Sequence, residues 1–393
     1  MSRRRAFVYV QHLLGIGHLK RAATLARAML AEGLEVTLAS GGFAVPGMAW
    51  DGKMRGAHFV QLPPASAADA SFKTLVDEAG REIDGEWKRQ RGESLLAAWR
   101  AAEPHVLVLE LFPFGRRQMR FELLPLLEAA AAAARRSAIV CSVRDILGGG
   151  QKDPGRQDEM LELVERYFDR VLVHGDRSVI GFERTFRHAA RIAERIEYTG
   201  YVVDGASAPV GDAGKQEVIV SAGGGAVGAR LLETAIRARP MSSLRGHAWR
   251  VLAGINLESE VYARLAQLAA GIGEGRVLLE RARDDFATLL ANCALSVSQA
   301  GYNTLIEIVQ AGARAVAVPF AGGHETEQSL RARCFAERGL LELVEEDALA
   351  PETLAAAIDR AARRPRPAPG TIDLGGARRS AALVARWAGE RAW

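Results

Sequence analysis

A chain of 393 residues, 49% apolar and 25% charged, has the make-up of a globular protein, which excludes a disordered, collagen-like or disulfide-stapled one. One hydrophobic core rarely grows past about 250–300 residues, so two domains are expected. The net charge of +4, from 51 Lys+Arg against 47 Asp+Glu, is too weak to argue for nucleic acid, and it suits anionic substrates or an anionic membrane surface equally.

The chain opens with Arg3, Arg4 and Arg5 and an apolar stretch that resembles a signal peptide in outline. Gln11 and His12 interrupt that stretch and no small-x-small site follows, so it reads as a first strand. No apolar run reaches the ~20 residues of a membrane span. Cys141, Cys293 and Cys334 are far apart and match no metal spacing, which favours a reducing, cytoplasmic compartment. Peripheral contact with the inner face of a membrane is left open.

Strands are expected at 6–11, 35–40, 57–61, 105–110, 137–142 and 170–174, with helices at 18–32, 72–101, 117–135, 156–168 and 177–193. The pattern breaks over 200–215, a stretch of Gly, Pro and Asp without period. A second series then runs through strands at 216–222, 248–254, 276–280, 293–298 and 314–319, and helices at 228–238, 258–270, 284–291, 303–312 and 325–338. Helices at 351–363 and 376–391 close the chain, joined by a Pro-rich connector. Such alternation marks βαβ units on parallel sheets. The fold class is therefore α/β, with two Rossmann-like domains and a cleft between them. The expected division is 1–202, a linker at 203–215, 216–370, and a C-terminal helical segment at 371–393 whose return to the first domain is open.

In open α/β sheets ligands bind beyond the carboxyl ends of strands. After the first strand, Gly15 and Gly17 open a helix beside His18; after the first strand of the second half, Gly223, Gly224 and Gly225 do the same. Helix-start amides favour anions, although a tight turn without ligand explains each loop too. Neither loop is a Walker A, since no Gly-Lys-Ser/Thr follows. A third segment runs from Ser298 through Gly301, Asn303, Thr304 and Glu307 to Pro319, Phe320, His324, Glu325, Glu327 and Gln328. Glu307 lies one turn from Asn303 and Thr304. Its carboxylate could accept both hydroxyls of a ribose while the amides of 301–304 face phosphates; a capping or solvated glutamate fits the spacing as well.

Together, the Gly-x-Gly-His after strand one, the second Gly-rich loop, and the run Ser298, Gly301, Thr304, Glu307, Ala311-Gly312, Pro319-Phe320, Glu327-Gln328 resemble the GT-B nucleotide-sugar glycosyltransferases. Within them the chain is most similar to the MurG-like, family 28 branch. The segments Leu111–Arg117 and Cys141–Ile146 resemble a group of predicted glycosyltransferases in that branch. The resemblance implies a UDP-sugar donor of the UDP-N-acetylglucosamine kind, no cofactor, no metal, and an inverting transfer. It places Glu307 on the ribose, Gln328 on the donor sugar, Gly301 and Thr304 at the diphosphate, Arg283 where the backbone reads uracil, and Asn303, Gly224, Gly225, His324 and Glu327 around the donor. Ala226 stands where the family has a serine, and Glu327 where it has the first glutamine of a pair, which leaves the donor sugar open.

His18, at a helix start, is the candidate base, because neutral imidazole titrates near working pH. A capping or phosphate-facing histidine is the alternative. Glu110 ends the apolar run Val106–Leu109 and is a candidate to orient His18 or to serve as base itself. His12 reads as strand-end core. Gly15, Gly17, Arg116 and Arg144 are candidate contacts to an acceptor of anionic or lipid-linked type, and His324 and Arg230 are candidates to help at the diphosphate. A UDP-sugar hydrolase or non-hydrolysing epimerase, and a non-catalytic nucleotide-sugar-binding protein, are the competing readings.

Overall fold

The computed structural model describes residues 4–13, 15–45, 56–69, 74–148, 153–203, 211–222, 228–254, 257–281, 283–322 and 326–391. Contacts divide the chain into two compact units, Met1–Asp204 with Asp373–Trp393, and Gly205–Ile372.

The first unit runs β1 (Arg5–Val10), α1 (Gly17–Ala31), β2 (Glu35–Ser40), β3 (Ala57–Gln61), β4 (Ser66–Ala67), β5 (Leu75–Val76), α2 (Gly85–Ala102), β6 (Val106–Glu110), α3 (Arg120–Ala132), β7 (Ala138–Arg144), α4 (Pro154–Tyr167), β8 (Arg170–His174) and β9 (Ile196–Tyr198). Its main sheet has the order β3-β2-β1-β6-β7-β8-β9, all pairs parallel. The second unit runs β10 (Val218–Ser221), α5 (Ala229–Ala238), β11 (Trp249–Ala253), α6 (Ser259–Ile272), β12 (Val277–Arg281), α7 (Phe286–Asn292), β13 (Leu295–Gln299), α8 (Tyr302–Gln310), β14 (Ala315–Val318), α9 (Glu327–Glu337), β15 (Glu342–Leu343) and α10 (Pro351–Arg363). Its parallel sheet has the order β12-β11-β10-β13-β14-β15. The last helix, α11 (Gly376–Glu390), packs on α1 of the first unit. No helix among the described residues is long and apolar enough to cross a membrane.

Central strands read as continuous apolar runs because helices cover both sheet faces. In the first unit Phe7, Tyr9, Leu107 and Leu109 pack with Trp99, Leu123 and Val164 of α2–α4. The alternate residues Ala6, Val8, Val10, Val106 and Val108 pack with Leu25 and Met29 of α1 and Val384 and Trp387 of α11. The seat of α11 depends on a close approach at Gly376. A Cβ there would lie 2.4 Å from the Gly200 carbonyl oxygen and 2.6 Å from that of Tyr201.

Two helical expectations fail. The helix expected over 72–101 starts at Gly85, because Asp84 caps it by accepting from the Trp87 amide at 2.8 Å. Upstream, Asp77 accepts from the amides of Ala79 and Arg81, each at 2.9 Å, and folds a turn after β5. The helix expected over 177–193 is two 3-10 turns, Phe182–Arg184 and Ala189–Arg195. Phe182 and Phe186, four apart, bury against Phe114 at ring separations of 5.2 and 5.1 Å, which imitates a helical stripe. The short strands β4, β5, β9 and β15 are additional to those expected.

A network centred on a buried ion pair ties together the strand-end loops of the first unit. Arg91 of α2 pairs with Glu122 of α3 at 2.8 Å, and Glu122 accepts from the Tyr9 hydroxyl. Arg91 also donates to the Gln11 side chain at 2.8 Å and to the carbonyls of Gly41 and Pro63. Removing one partner of a buried pair leaves an uncompensated charge. Arg91→Met is therefore expected to destabilise the first unit by about 3–5 kcal/mol in urea denaturation. An unchanged midpoint would contradict this role.

Candidate functional site

Chain order reverses between β1 and β6 in the first sheet, and between β10 and β13 in the second. These are the switch points where strand-end loops diverge and leave room for a ligand.

At the first, β1 runs into Gln11, His12 and Leu13, and α1 begins at Gly17 without a side-chain cap. The first intrahelical bond runs from the Lys20 amide to the Ile16 carbonyl at 2.9 Å, so the amides of Gly17, His18 and Leu19 belong to the open helix start. A Cβ on Gly15 would meet nothing within 4 Å, so the backbone there is approachable. His18 Nδ1 lies 2.9 Å from Glu110 Oε1, at the end of β6. Arg21, one turn along α1, pairs with the same oxygen, while the Ser142 hydroxyl donates to Oε2 at 2.6 Å. The Glu110 side chain is 2% exposed and that of His18 15%.

Burial alone would raise the Glu110 pKa. The charge of Arg21 and the hydrogen bonds of His18 and Ser142 outweigh it and hold the carboxyl well below the usual carboxylate range. Burial, then the positive charge of Arg116, push His18 well below its ordinary value, with the Glu110 hydrogen bond opposing. A permanently ionised Glu110 accepts from His18 Nδ1–H, leaving Nε2 as the basic nitrogen of a neutral ring.

Arg116 follows β6 with a left-handed φ of 61° and donates to the Gln11 carbonyl at 2.6 Å. Burial and the repulsion of Arg144 lower its pKa to about 10, against the attraction of Glu110. Arg144 ends β7, and its charge also reaches His18. Arg21, Arg116 and Arg144 thus surround the His18–Glu110 pair with positive charge. His12 is buried, its ring occupying the space a Cβ on Gly42 would fill.

At the second switch point, Gly224, Gly225 and Ala226 lie outside the described residues, as does His324. After β13, Gly301 stands at the uncapped start of α8, where a Cβ would meet only Thr304 Oγ1, at 3.8 Å. Asn303, Thr304 and Glu307 are half-buried on the following turns. After β14, Gln328 Oε1 accepts from the Phe320 amide at 3.1 Å, which ties the end of that strand to the first turn of α9. The structure turns Glu327 inward: it is buried and pairs with Arg331 at 2.9 Å, whose guanidinium lies 4.8 Å from the Tyr302 ring centre. Arg283 is exposed and pairs with Asp285 at 2.7 Å and Glu280 at 3.1 Å. Arg230 donates to the Leu349 carbonyl at 3.2 Å. Among the described residues no three His, Cys, Asp or Glu side chains converge as a metal site requires.

Arg21, Ser142 and His174 were not foreseen as site residues. A signal existed for His174: it ends the apolar run of β8, just as Glu110 ends that of β6. Burial holds the His174 ring neutral, with its pKa pushed down to about 3, whereas an unfolded chain takes up that proton near 6.5. The unfolded state then binds more protons between those values, so stability falls as pH drops below about 6.5. Urea denaturation from pH 7 to pH 5 is expected to show a shallower loss for His174→Gln, approaching about 1.4 kcal/mol less per pH unit at the acid end. Parallel losses in wild type and variant would contradict a neutral His174.

Residues 277–371 match the glycosyltransferase family 28 C-terminal domain, a span that contains Arg283, Gly301, Glu307 and Gln328. Among curated relatives, a UDP-N-acetylglucosamine--N-acetylmuramyl-(pentapeptide) pyrophosphoryl-undecaprenol N-acetylglucosamine transferase from Dichelobacter nodosus (strain VCS1703A) is 36% identical over 75 residues, 19% of this chain and 21% of that protein. The matched stretch spans about a fifth of the length of the curated relatives. Among solved structures, the glycotransferase of kitacinnamycin aligns over 98% of this chain and 100% of its own, with a TM-score of 0.64 and 17% identity. MurG of Acinetobacter baumannii aligns over 97% and 99%, with a TM-score of 0.58 and 14% identity. The two parallel α/β sheets have the GT-B fold, as the resemblance implied.

Proposed function

We propose that this chain is an inverting glycosyltransferase that moves a sugar from a UDP-sugar donor to a hydroxyl acceptor without a metal. The observation that carries the reading is the family 28 C-terminal domain over 277–371, which contains an uncapped helix start with Glu307 one turn in. In this reading the second unit holds the donor. The amides of Gly301–Thr304 take the diphosphate, the Glu307 carboxylate accepts the ribose hydroxyls, and the backbone around Arg283 reads the uracil. Asn303, Gln328, Gly224, Gly225 and His324 complete the donor set. A UDP-N-acetylglucosamine-like donor follows the curated relative's name, with the sugar to be read from a panel.

The first unit supplies the base. His18 Nε2 takes the proton of the acceptor hydroxyl as its oxygen attacks the anomeric carbon. The bond from that carbon to the UDP oxygen breaks on the opposite face, and its electron pair leaves on the diphosphate. Glu110 holds the imidazole by Nδ1 and stabilises the imidazolium that forms. Helix-start amides stabilise the departing charge. Arg116, Arg144 and the backbone at Gly15 and Gly17 favour an acceptor with an anionic group beside the attacked hydroxyl. A cytoplasmic place of action belongs to the same proposal, in keeping with three buried free cysteines.

By calorimetry, Glu307→Ala is expected to weaken UDP binding by about 1.5–3 kcal/mol, the range for a hydrogen bond to a charged group. Unchanged affinity would remove Glu307 from the ribose. In transfer assays with a panel of UDP-sugars and hydroxyl acceptors, an α-linked donor should give a β-linked product, with turnover persisting in excess EDTA. His18→Ala should lower kcat by about 10²–10⁴-fold and leave UDP affinity unchanged. A retained configuration, or epimer formation from the UDP-sugar alone, would overturn the proposal.

A further inference from the structure

The Glu110 carboxylate is the near end of a buried polar line that crosses three adjacent strands. Glu110 on β6 and Ser142 on β7 are direct partners in the parallel register, so both side chains project from the same sheet face. Ser142 Oγ lies 2.6 Å from Glu110 Oε2 and 2.8 Å from His174 Nε2, at the end of β8. His174 Nδ1 in turn lies 2.9 Å from the Thr199 hydroxyl, beyond β9. Ser142, His174 and Thr199 are all buried.

We propose that Ser142 and His174 are positioning residues that act through Glu110 to hold His18 as a base. The proposal rests on the reading of His18 given above. Hydrogen-bond chemistry assigns every proton in the line. An ionised carboxylate only accepts, so the single Ser142 proton points to Oε2. Ser142 Oγ must then accept from His174 Nε2–H. A neutral ring carries no second proton, so Nδ1 accepts from the Thr199 hydroxyl, which shares its proton with the Gly200 carbonyl at 2.9 Å.

The arrangement divides the two carboxylate oxygens. Oε1 takes His18 and Arg21; Oε2 is fixed by Ser142, whose own orientation is fixed by His174. The serine hydroxyl draws charge toward Oε2 and away from the oxygen that faces the imidazole. Without it the charge concentrates on Oε1 and holds a proton on His18 more strongly, which moves the midpoint of the ring upward. Among the described residues the charged groups acting on His18 are Glu110 of β6, Arg21 of α1, Arg144 of β7 and Arg116 of the loop after β6. Those acting on His174 are Arg21 and Glu110. Loss of Ser142 removes none of these charges, so it isolates the hydrogen-bonded line.

The test is an NMR titration of the full chain labelled with ¹⁵N-histidine, with His18 assigned by His18→Gln. The protein alone is the probe. Ser142→Ala and His174→Leu should each raise the His18 midpoint by about 0.5–1 pH unit, the equivalent of one hydrogen bond. His174→Gln, whose amide can donate to Ser142 in place of Nε2–H, should restore it. An unchanged midpoint in Ser142→Ala would overturn the proposal. So would an equal shift in His174→Leu and His174→Gln, which would mark His174 as core packing alone. The titration does not depend on turnover. A fully active His18→Ala enzyme would defeat the base, and an unmoved midpoint would defeat the line.

Discussion

The first unit is organised around one ionised carboxylate that has almost no water. Glu110 closes a strand whose other residues are buried apolar side chains, and taking a carboxylate out of water costs several kcal/mol unless its oxygens are satisfied. Arg21 and His18 of α1 supply the countercharge and a ring nitrogen, and Ser142 of β7 a hydroxyl. The approach of α1 to the sheet, the register of β6 against β7 and the orientation of the imidazole are therefore coupled. The Arg91–Glu122 pair on the opposite face does the same for the loops after β1, β2 and β3. Arg116 links the two networks by donating to the carbonyl of Gln11, whose side chain accepts from Arg91.

The second unit repeats the strand order but uses its switch point differently. There β13 ends in Ser298 and Gln299, and the carboxylate comes later, as Glu307, half-buried inside α8. A helix start with no strand-end carboxylate behind it suits a diphosphate, and a glutamate one turn in suits vicinal hydroxyls. Charge at the first switch point is committed to holding a neutral imidazole. This contrast supports a division in which nucleotide goes to the second unit and proton transfer to the first.

Much of the fold was legible because strands buried on both faces read as uninterrupted apolar runs, and the helices between them carry clear periodicity. It failed where local side chains imitate or interrupt that period. Asp77 and Asp84 both accept backbone amides and break what looked like one long helix; Phe182 and Phe186 mimic a helical stripe while packing on Phe114. Glu110 stood out as a charge closing an apolar strand. His174 carried the same signal at the end of β8, yet its link to Glu110 runs through Ser142, a residue with no distinguishing pattern of its own. Glu327 is read for a donor contact from its place in the motif. In the structure its carboxylate pairs with Arg331 four residues on in α9, the spacing of an ordinary helical ion pair, and that guanidinium lies against Tyr302 of α8.

The division of labour between the two units is tested most directly by a crystal structure of the chain soaked with UDP. The account predicts nucleotide on the second unit, with ribose hydroxyls on the Glu307 carboxylate and the diphosphate against the amides of Gly301–Thr304. UDP seated instead on the start of α1, with its phosphates on the amides of Gly17 and His18 beside Arg116 and Arg144, would contradict it.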